Sequence, residues 1–240
     1  MMKKNTILVT GGSGRFGKIL KKQNFKNYIF PNKYDLDITN VKSIHKYIIK
    51  TKPKTVIHLA GFSRPVQLHE FNPLKSISLN IIGTSNLVMI CKKYNIKFVY
   101  FSSNYVYPGK KGNYKETDPV LPFNNYGWSK LGGEAAAHIY KNSLILRICM
   151  TEKPFVHKRA LSDVYFNFIF QEEIAKNIPN LIKLKGIINV GGPIQTIYNF
   201  AKKHNPRVKK ISLKKIKSVI FKKKMSMNVK KFNKIFKGKI

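Results

Sequence analysis

Short apolar runs and helically spaced apolar positions alternate along the first 150 residues of this chain. Residues 5–10 (NTILVT) make a run apolar on both faces, which predicts a buried strand, and a short helix follows over 15–23. A second, short strand is predicted at 28–30, a helix at 41–50 and a third strand at 55–60 (TVIHLA). A long helix over 73–95, a strand over 97–103 (KFVYFSS), a helix over 126–141 and a strand over 143–149 continue the series. Strands this apolar, separated by helices, predict an α/β fold: a doubly wound parallel sheet of the Rossmann type, covered on both faces. Such sheets place ligands at the carboxyl ends of their strands.

Beyond Met150 the rhythm loosens. Residues 154–162 read as loop, 172–184 as helix, 186–190 (GIINV) as a buried strand and 196–204 as a short helix. From Arg207 lysines alternate with Ile211, Leu213, Ile216, Val219, Ile220, Phe221, Met225, Val229, Phe232, Ile235 and Phe236, enough apolar side chains to pack. No internal repeat and no Gly/Ser linker marks a boundary. Residues 1–150 are expected to form the sheet domain. Residues 151–240 are expected to form a small C-terminal cap, not a clean separate domain.

The chain's 240 residues and 43% hydrophobic content suit one α/β domain with a small lobe. No apolar run approaches the ~20 residues that cross a bilayer. The N-terminal apolar stretch runs straight into glycines and reads as a strand, not a signal peptide. Cys91 and Cys149 sit among apolar residues without metal-like spacing, so reduced core thiols in a cytoplasmic protein are expected and no metal site is.

The net charge of +36 is extreme, with only ten carboxylates and none after Glu173. The basic residues are mostly lysine, and Ile, Asn, Tyr and Phe are also abundant, which is the mark of A/T-rich codons. Nucleic-acid readers lean on arginine forks, and only five arginines are present. A nucleic-acid or membrane-surface role is therefore not expected. A positive surface that draws in anionic substrates is.

Candidate chemistry begins at TGGSGRFG, Thr10 to Gly17, between the first strand and its helix. Gly11, Gly12, Gly14 and Gly17 let the backbone bend and approach a pyrophosphate. Ser13, Arg15 and Phe16 complete the turn, and the helix N-terminus offers free N–H groups. The strand–turn–helix context supports a dinucleotide. No acid follows the second strand at the ribose-reading position, where Lys33 stands instead, and Arg15 lies in the turn. NADP(H) is expected over NAD(H).

Ser103 ends one apolar run, and Tyr126 and Lys130 lie four residues apart on one face of a predicted helix. A tyrosine near pKa ~10 needs a neighbouring cation to exchange protons at neutral pH. Ser103 would hydrogen-bond the same substrate oxygen. Together these residues suit hydride transfer at a carbonyl or secondary alcohol.

The ordered set resembles the extended short-chain dehydrogenase/reductase family, and within it the dTDP-4-dehydrorhamnose reductase-like branch. FSSNYVYPGKKGNYKETDPVLPFNNYGWSKLGGE, residues 101–134, carries most of the likeness. DLDIT at 35–39, VIHLAG at 56–61, LNIIGTSNLV at 79–88, LILR ending at Arg147 and GIINVGG at 186–192 support it. The resemblance implies a keto reductase of nucleotide-diphosphate sugars that acts as a possible homodimer. Asp37 and Ile38 should meet the adenine, Ala60 and Gly61 should line the cofactor path, and Asn80 should complete an active-site tetrad. A loop carboxylate remains the alternative for Asp37, and a polar group inside a helix for Asn80.

Asn104-Tyr105 after Ser103 depart from the Asp-Glu of dehydratases and from the cysteine of GDP-fucose synthase-like enzymes. Tyr105 is common in 4-keto reductases and is a candidate substrate contact. A 4-epimerase with tightly held NAD and a non-catalytic dinucleotide sensor or scaffold remain open. Asn104, Trp128 and His58 also depart from the pattern, and His58 reads as a packed core histidine. His157, Lys158 and Arg159 either grip a diphosphate or form a solvated basic loop.

Overall fold

The computed structural model describes residues 5–216 and 221–236. Val219 and Ile220 of the apolar tail lie outside them. Six parallel strands form one sheet: β1 (Ile7–Thr10), β2 (Tyr28–Ile29), β3 (Thr55–His58), β4 (Lys97–Ser103), β5 (Ser143–Ile148) and β6 (Gly186–Val190). Their spatial order is β2-β1-β3-β4-β5-β6, with Leu8 opposite Val56 and Tyr100 opposite Ile145. The chain reverses direction across the sheet between β1 and β3, and that switch point opens the crevice where such sheets bind ligands.

Two faces are covered because adjacent strand residues point oppositely. Val9, Ile57, Val99, Phe101 and Leu146 pack on one side with Phe16 and Leu20 of α1 (Arg15–Lys21). Ile174 and Ile178 of a later helix, Gln171–Leu181, join them there. Leu8, Val56, Phe98, Tyr100 and Ile145 pack on the other. There they meet Ile44 of α2 (Val41–Thr51), Leu87 of α3 (Pro73–Lys93) and Ala137 of α4 (Asn125–Ile139). The helix over Gln171–Leu181 is α5.

α3 is continuous but irregular. It runs as α-helix over Pro73–Ser76, widens to π-helical turns over Ile77–Ile82, and returns to α-helix from Gly83. By length and composition α3 is the one helix among the described residues that meets the criterion for crossing a membrane, at 21 residues and mean hydropathy 1.3. It is not an unbroken apolar run, since Lys75, Asn80, Asn86 and Lys92 interrupt it. Its apolar character serves the core, with half of its most apolar window buried.

The remainder is a lobe of short pairings. Met150–Thr151 pairs with Ile169–Phe170, Arg159–Leu161 with Lys209–Ile211, and Tyr165–Phe166 with Gln195–Thr196. The loop expected over 154–162 therefore contains a strand. Its partner lies fifty residues away, and no local pattern announces such a pairing. Helix α6 (Ile197–His204) closes the lobe, whereas α7 (Lys230–Phe236) packs Phe232 and Phe236 into the sheet's core beside β6. The lobe's core is aromatic and sulfur-rich, with Tyr107, Tyr114, Phe155, Phe166, Phe200, Met225 and Met227 all buried.

Candidate active site

The turn after β1 is shaped by close approaches. Gly11 has φ +73°, and a Cβ there would stand 2.5 Å from the backbone nitrogen of Ala60. A Cβ on Gly17 would stand 2.4 Å from the Gly11 carbonyl oxygen, so helix and turn touch backbone to backbone. The Gly14 N–H donates to that carbonyl at 3.0 Å. No side chain caps α1, so its first N–H groups have no side-chain acceptor and suit an anion. These residues fit the diphosphate of a dinucleotide. Phe16 itself is core, 5.3 Å from the Phe101 ring, which leaves its backbone to the turn.

The residues expected around the adenosine end are spread differently. Lys33 is exposed, with its ammonium 5.0 Å from the Tyr34 ring. Asp37 is exposed and accepts from the Thr39 N–H at 2.8 Å and the Thr39 hydroxyl at 2.7 Å. Ile38 is buried, and its carbonyl accepts from Asn86 at 3.1 Å. Ser13 is exposed at the tip of the turn. Ala60 donates its N–H to Thr10 at 3.3 Å, and Gly61 lies against Asn80.

Ser103 ends β4 and is buried. Its Oγ accepts from the Tyr105 N–H at 3.3 Å and donates to the Asn104 side-chain oxygen at 3.4 Å. Asn124 caps α4 through the Gly127 N–H at 2.8 Å, which sets Tyr126 in the first turn. Burial raises the Tyr126 pKa above that of a free phenol, against the downward pull of Ser103, Arg64 and Arg15. Lys130, one turn on, has its ammonium 4.3 Å from the Tyr100 ring. Burial lowers its pKa to about 7, against the pull of Glu134. Tyr105 joins an aromatic wall, 5.3 Å from Tyr126 and 6.0 Å from Phe123.

Asn80 sits in the π-helical stretch of α3 and is buried. Its side chain accepts from the Phe62 N–H and donates to the Phe62 carbonyl, each at 2.7 Å. It also donates to Ser129 of α4 at 2.9 Å. Asn80 therefore ties the loop after β3 to the helix that carries Tyr126. A neighbouring relay is just as ordered: Thr10 to His58 at 2.8 Å, His58 to Thr84 at 3.0 Å, and Thr84 to the Asn80 carbonyl at 2.7 Å. Burial, helped by the Lys130 charge, lowers His58 to about 3 and keeps it neutral.

His157, Lys158 and Arg159 are exposed. His157 sits 5.3 Å from the Phe155 ring, and Arg159 pairs with Lys209 on the outer ribbon of the lobe. Trp128 is half-exposed, and Asn104 donates to the Met225 carbonyl at 3.3 Å, stitching the site to the lobe. A cavity of about 490 Å³ lies elsewhere, beyond β6, between Phe168, Phe200, Phe232 and Phe236.

Sequence reasoning missed Arg64, Glu152, His69 and the Glu134–Arg147 pair. Glu152 binds Arg64 at 2.9 Å and Arg15 at 3.3 Å. The available signal was scarcity: in a chain that otherwise uses lysine, three of its five arginines face a carboxylate.

Comparison with known proteins places this geometry in context. The family model described as RmlD substrate binding domain matches residues 4–151. dTDP-4-dehydrorhamnose reductase of Aggregatibacter actinomycetemcomitans is 32% identical over 151 residues, covering 60% of this chain and 51% of that protein. Methionine adenosyltransferase 2 subunit beta of Pongo abelii is 29% identical over 155 residues, covering 59% and 46%. The chain spans about half the length of the curated relatives it matches. The fold is that of the solved dTDP-4-dehydrorhamnose reductase of Bacillus anthracis in complex with NADP, with a TM-score of 0.85 at 22% identity over 96% of this chain and 92% of that one.

Proposed function

Because the chain belongs to the RmlD substrate binding domain family, we propose that it is a nicotinamide-dependent reductase of the extended short-chain type. Its substrate is the 4-keto group of a nucleotide-linked 6-deoxysugar. The observation that carries this reading is Ser103 at the carboxyl end of β4 with Tyr126 and Lys130 on the first turns of α4, in a fold whose β1 turn is shaped by close glycine approaches. When bound, the reduced nicotinamide supplies the hydride. Ser103 polarises the carbonyl oxygen and stabilises the charge that develops there. Tyr126 gives that oxygen its proton. Lys130 completes its charge on the cofactor ribose, and Asn80 holds loop and helix in register.

NADP(H) is favoured over NAD(H): no acid stands at the end of β2 to read a ribose hydroxyl, and Lys33 is free to meet a 2′-phosphate. We place the protein in the cytoplasm, where Cys91 and Cys149 stay as free thiols, and expect a homodimer. A second reading, a dinucleotide-binding subunit without turnover, draws on the likeness to the adenosyltransferase subunit.

One assay tests both. Loss of reduced-nicotinamide absorbance is followed with dTDP-4-keto-6-deoxyglucose, with NADPH and NADH in turn. Turnover that falls at least ~100-fold in Tyr126→Phe, with cofactor binding retained, supports the reductase. Cofactor binding without turnover on this and other 4-keto sugar nucleotides overturns it in favour of the subunit.

A further inference from the structure

Three charged side chains cross the mouth of the cleft. The Glu152 carboxylate, just past β5, receives the Arg64 guanidinium at 2.9 and 3.1 Å and Arg15 at 3.3 Å. Arg15 opens α1 after β1, and Arg64 lies on the loop after β3. The cluster thus gathers the carboxyl ends of three strands over the crevice.

The loop that carries Arg64 is fixed against Tyr126 independently of this cluster. Asn80 holds both backbone polar groups of Phe62. The Phe62 ring stacks on His69 at 4.3 Å, and His69 meets Tyr126 edge-on at 5.0 Å. Glu70 accepts the N–H of Asn125, the residue before Tyr126, at 2.8 Å. His69 is fully buried, with Nδ1 on Ser76 at 2.8 Å. These contacts hold the backbone on either side of Arg64 against the helix that carries Tyr126.

The Arg64 charge is felt by Tyr126, Tyr105 and Cys149 alike, and pulls each of them downward. The other groups around the phenol are Ser103, Arg15, Tyr105, Tyr100, neutral His69, Glu70 on Asn125, and Lys130 one turn along. Lys130 is the cation whose charge burial erodes. A guanidinium keeps its charge at every relevant pH.

We propose that Arg64, anchored by Glu152, is an electrostatic positioning residue of this site, supplying a permanent positive charge for the phenolate that forms when Tyr126 protonates the substrate oxygen. This rests on the reductase reading. The O–H electron pair stays on Tyr126 as its proton leaves, the hydride comes from the reduced nicotinamide, and Arg64 stabilises the anion until solvent returns a proton. Glu152 has two effects: it fixes the guanidinium in place and partly cancels its charge.

The test reads the phenol directly. The protein is labelled with [13Cζ]tyrosine, the Tyr126 resonance is assigned by its loss in Tyr126→Phe, and its pH titration is followed by NMR. Arg64→Gln is expected to raise the Tyr126 pKa by about one unit. Arg64→Lys, which keeps a charge, is expected to restore most of the shift. Glu152→Gln, which keeps an acceptor oxygen but removes the countercharge, is expected to lower it. An unmoved resonance in Arg64→Gln, or shifts of the same sign in Arg64→Gln and Glu152→Gln, overturns the proposal. The alkaline limb of kcat should move with the NMR pKa. Absent turnover would count against the reductase reading, whereas an unmoved resonance would count against Arg64.

Discussion

Lys130 and Arg147 both lie near the Glu134 carboxylate, and the protein treats the two cations in opposite ways. Glu134 Oε1 receives Arg147 at 2.6 and 3.0 Å, and Oε2 receives the Ser102 hydroxyl at 2.6 Å. Arg147 goes on to the Tyr107 hydroxyl at 2.7 Å, and Tyr107 to Asn189 at 2.9 Å. Burial alone would pull the Arg147 pKa down, but the Glu134 bond and charge reverse this and hold it above its ordinary value. Lys130 feels the charge of the same carboxylate without a hydrogen bond to it, and burial wins. A buried cation whose hydrogen bonds are met inside the protein is scaffolding, here joining β4, β5 and α4. One left with an aromatic face and no carboxylate bond is poised for a ligand to complete.

The largest effect should come from breaking the completed pair. Glu134→Gln leaves Arg147 buried without its countercharge, and a loss of about 3–5 kcal/mol in urea unfolding is expected. A loss below about 1 kcal/mol would mean that the guanidinium finds water, and the contrast with Lys130 would collapse. Ser102→Ala removes one charged hydrogen bond from the same carboxylate and should cost about 2 kcal/mol, again read from urea midpoints.

A pH-dependent test sharpens the other side. With a folded pKa of about 7 for Lys130 against an ordinary lysine value of ~10.4, the folded protein binds fewer protons than the unfolded chain between those values. Stability therefore rises with pH across that interval, and the full penalty applies below pH ~7. Lys130→Met should flatten this rise and be the more stable protein at pH 6. Identical pH dependence in the two proteins would show that Lys130 is solvated after all.

The sequence was most legible where a local pattern and a long-range partner agree. Ile7–Thr10, Thr55–His58 and Lys97–Ser103 are apolar on both faces, and only a covered parallel sheet satisfies such runs, so the sheet followed from them. The lobe was opaque for the converse reason. Arg159–Leu161 and Lys209–Ile211 are three-residue strands that pair across about fifty residues of chain. At the site, Ser103, Tyr126 and Lys130 announced themselves by type and spacing. Glu152 could not, because its role depends on two arginines that reach it from chain positions 88 and 137 residues away. Asn80 was visible as a residue, but its grip on Phe62 depends on a helical irregularity that no pattern of apolar positions encodes.

That irregularity means α3 holds, in effect, a spare residue. A π-helical turn closes i to i+5 hydrogen bonds, so the Ile77–Ile82 stretch accommodates more chain per turn than the α-helix on either side of it. Removing one residue there would give a regular helix that is no worse hydrogen-bonded and whose two flanks keep their faces, yet Asn80 itself would turn from its present direction. Phe62 and Asn80 would lose their alignment, and with it the loop that carries Arg64 and His69. The reading frame of the helix, and not its stability alone, therefore keeps the cleft assembled.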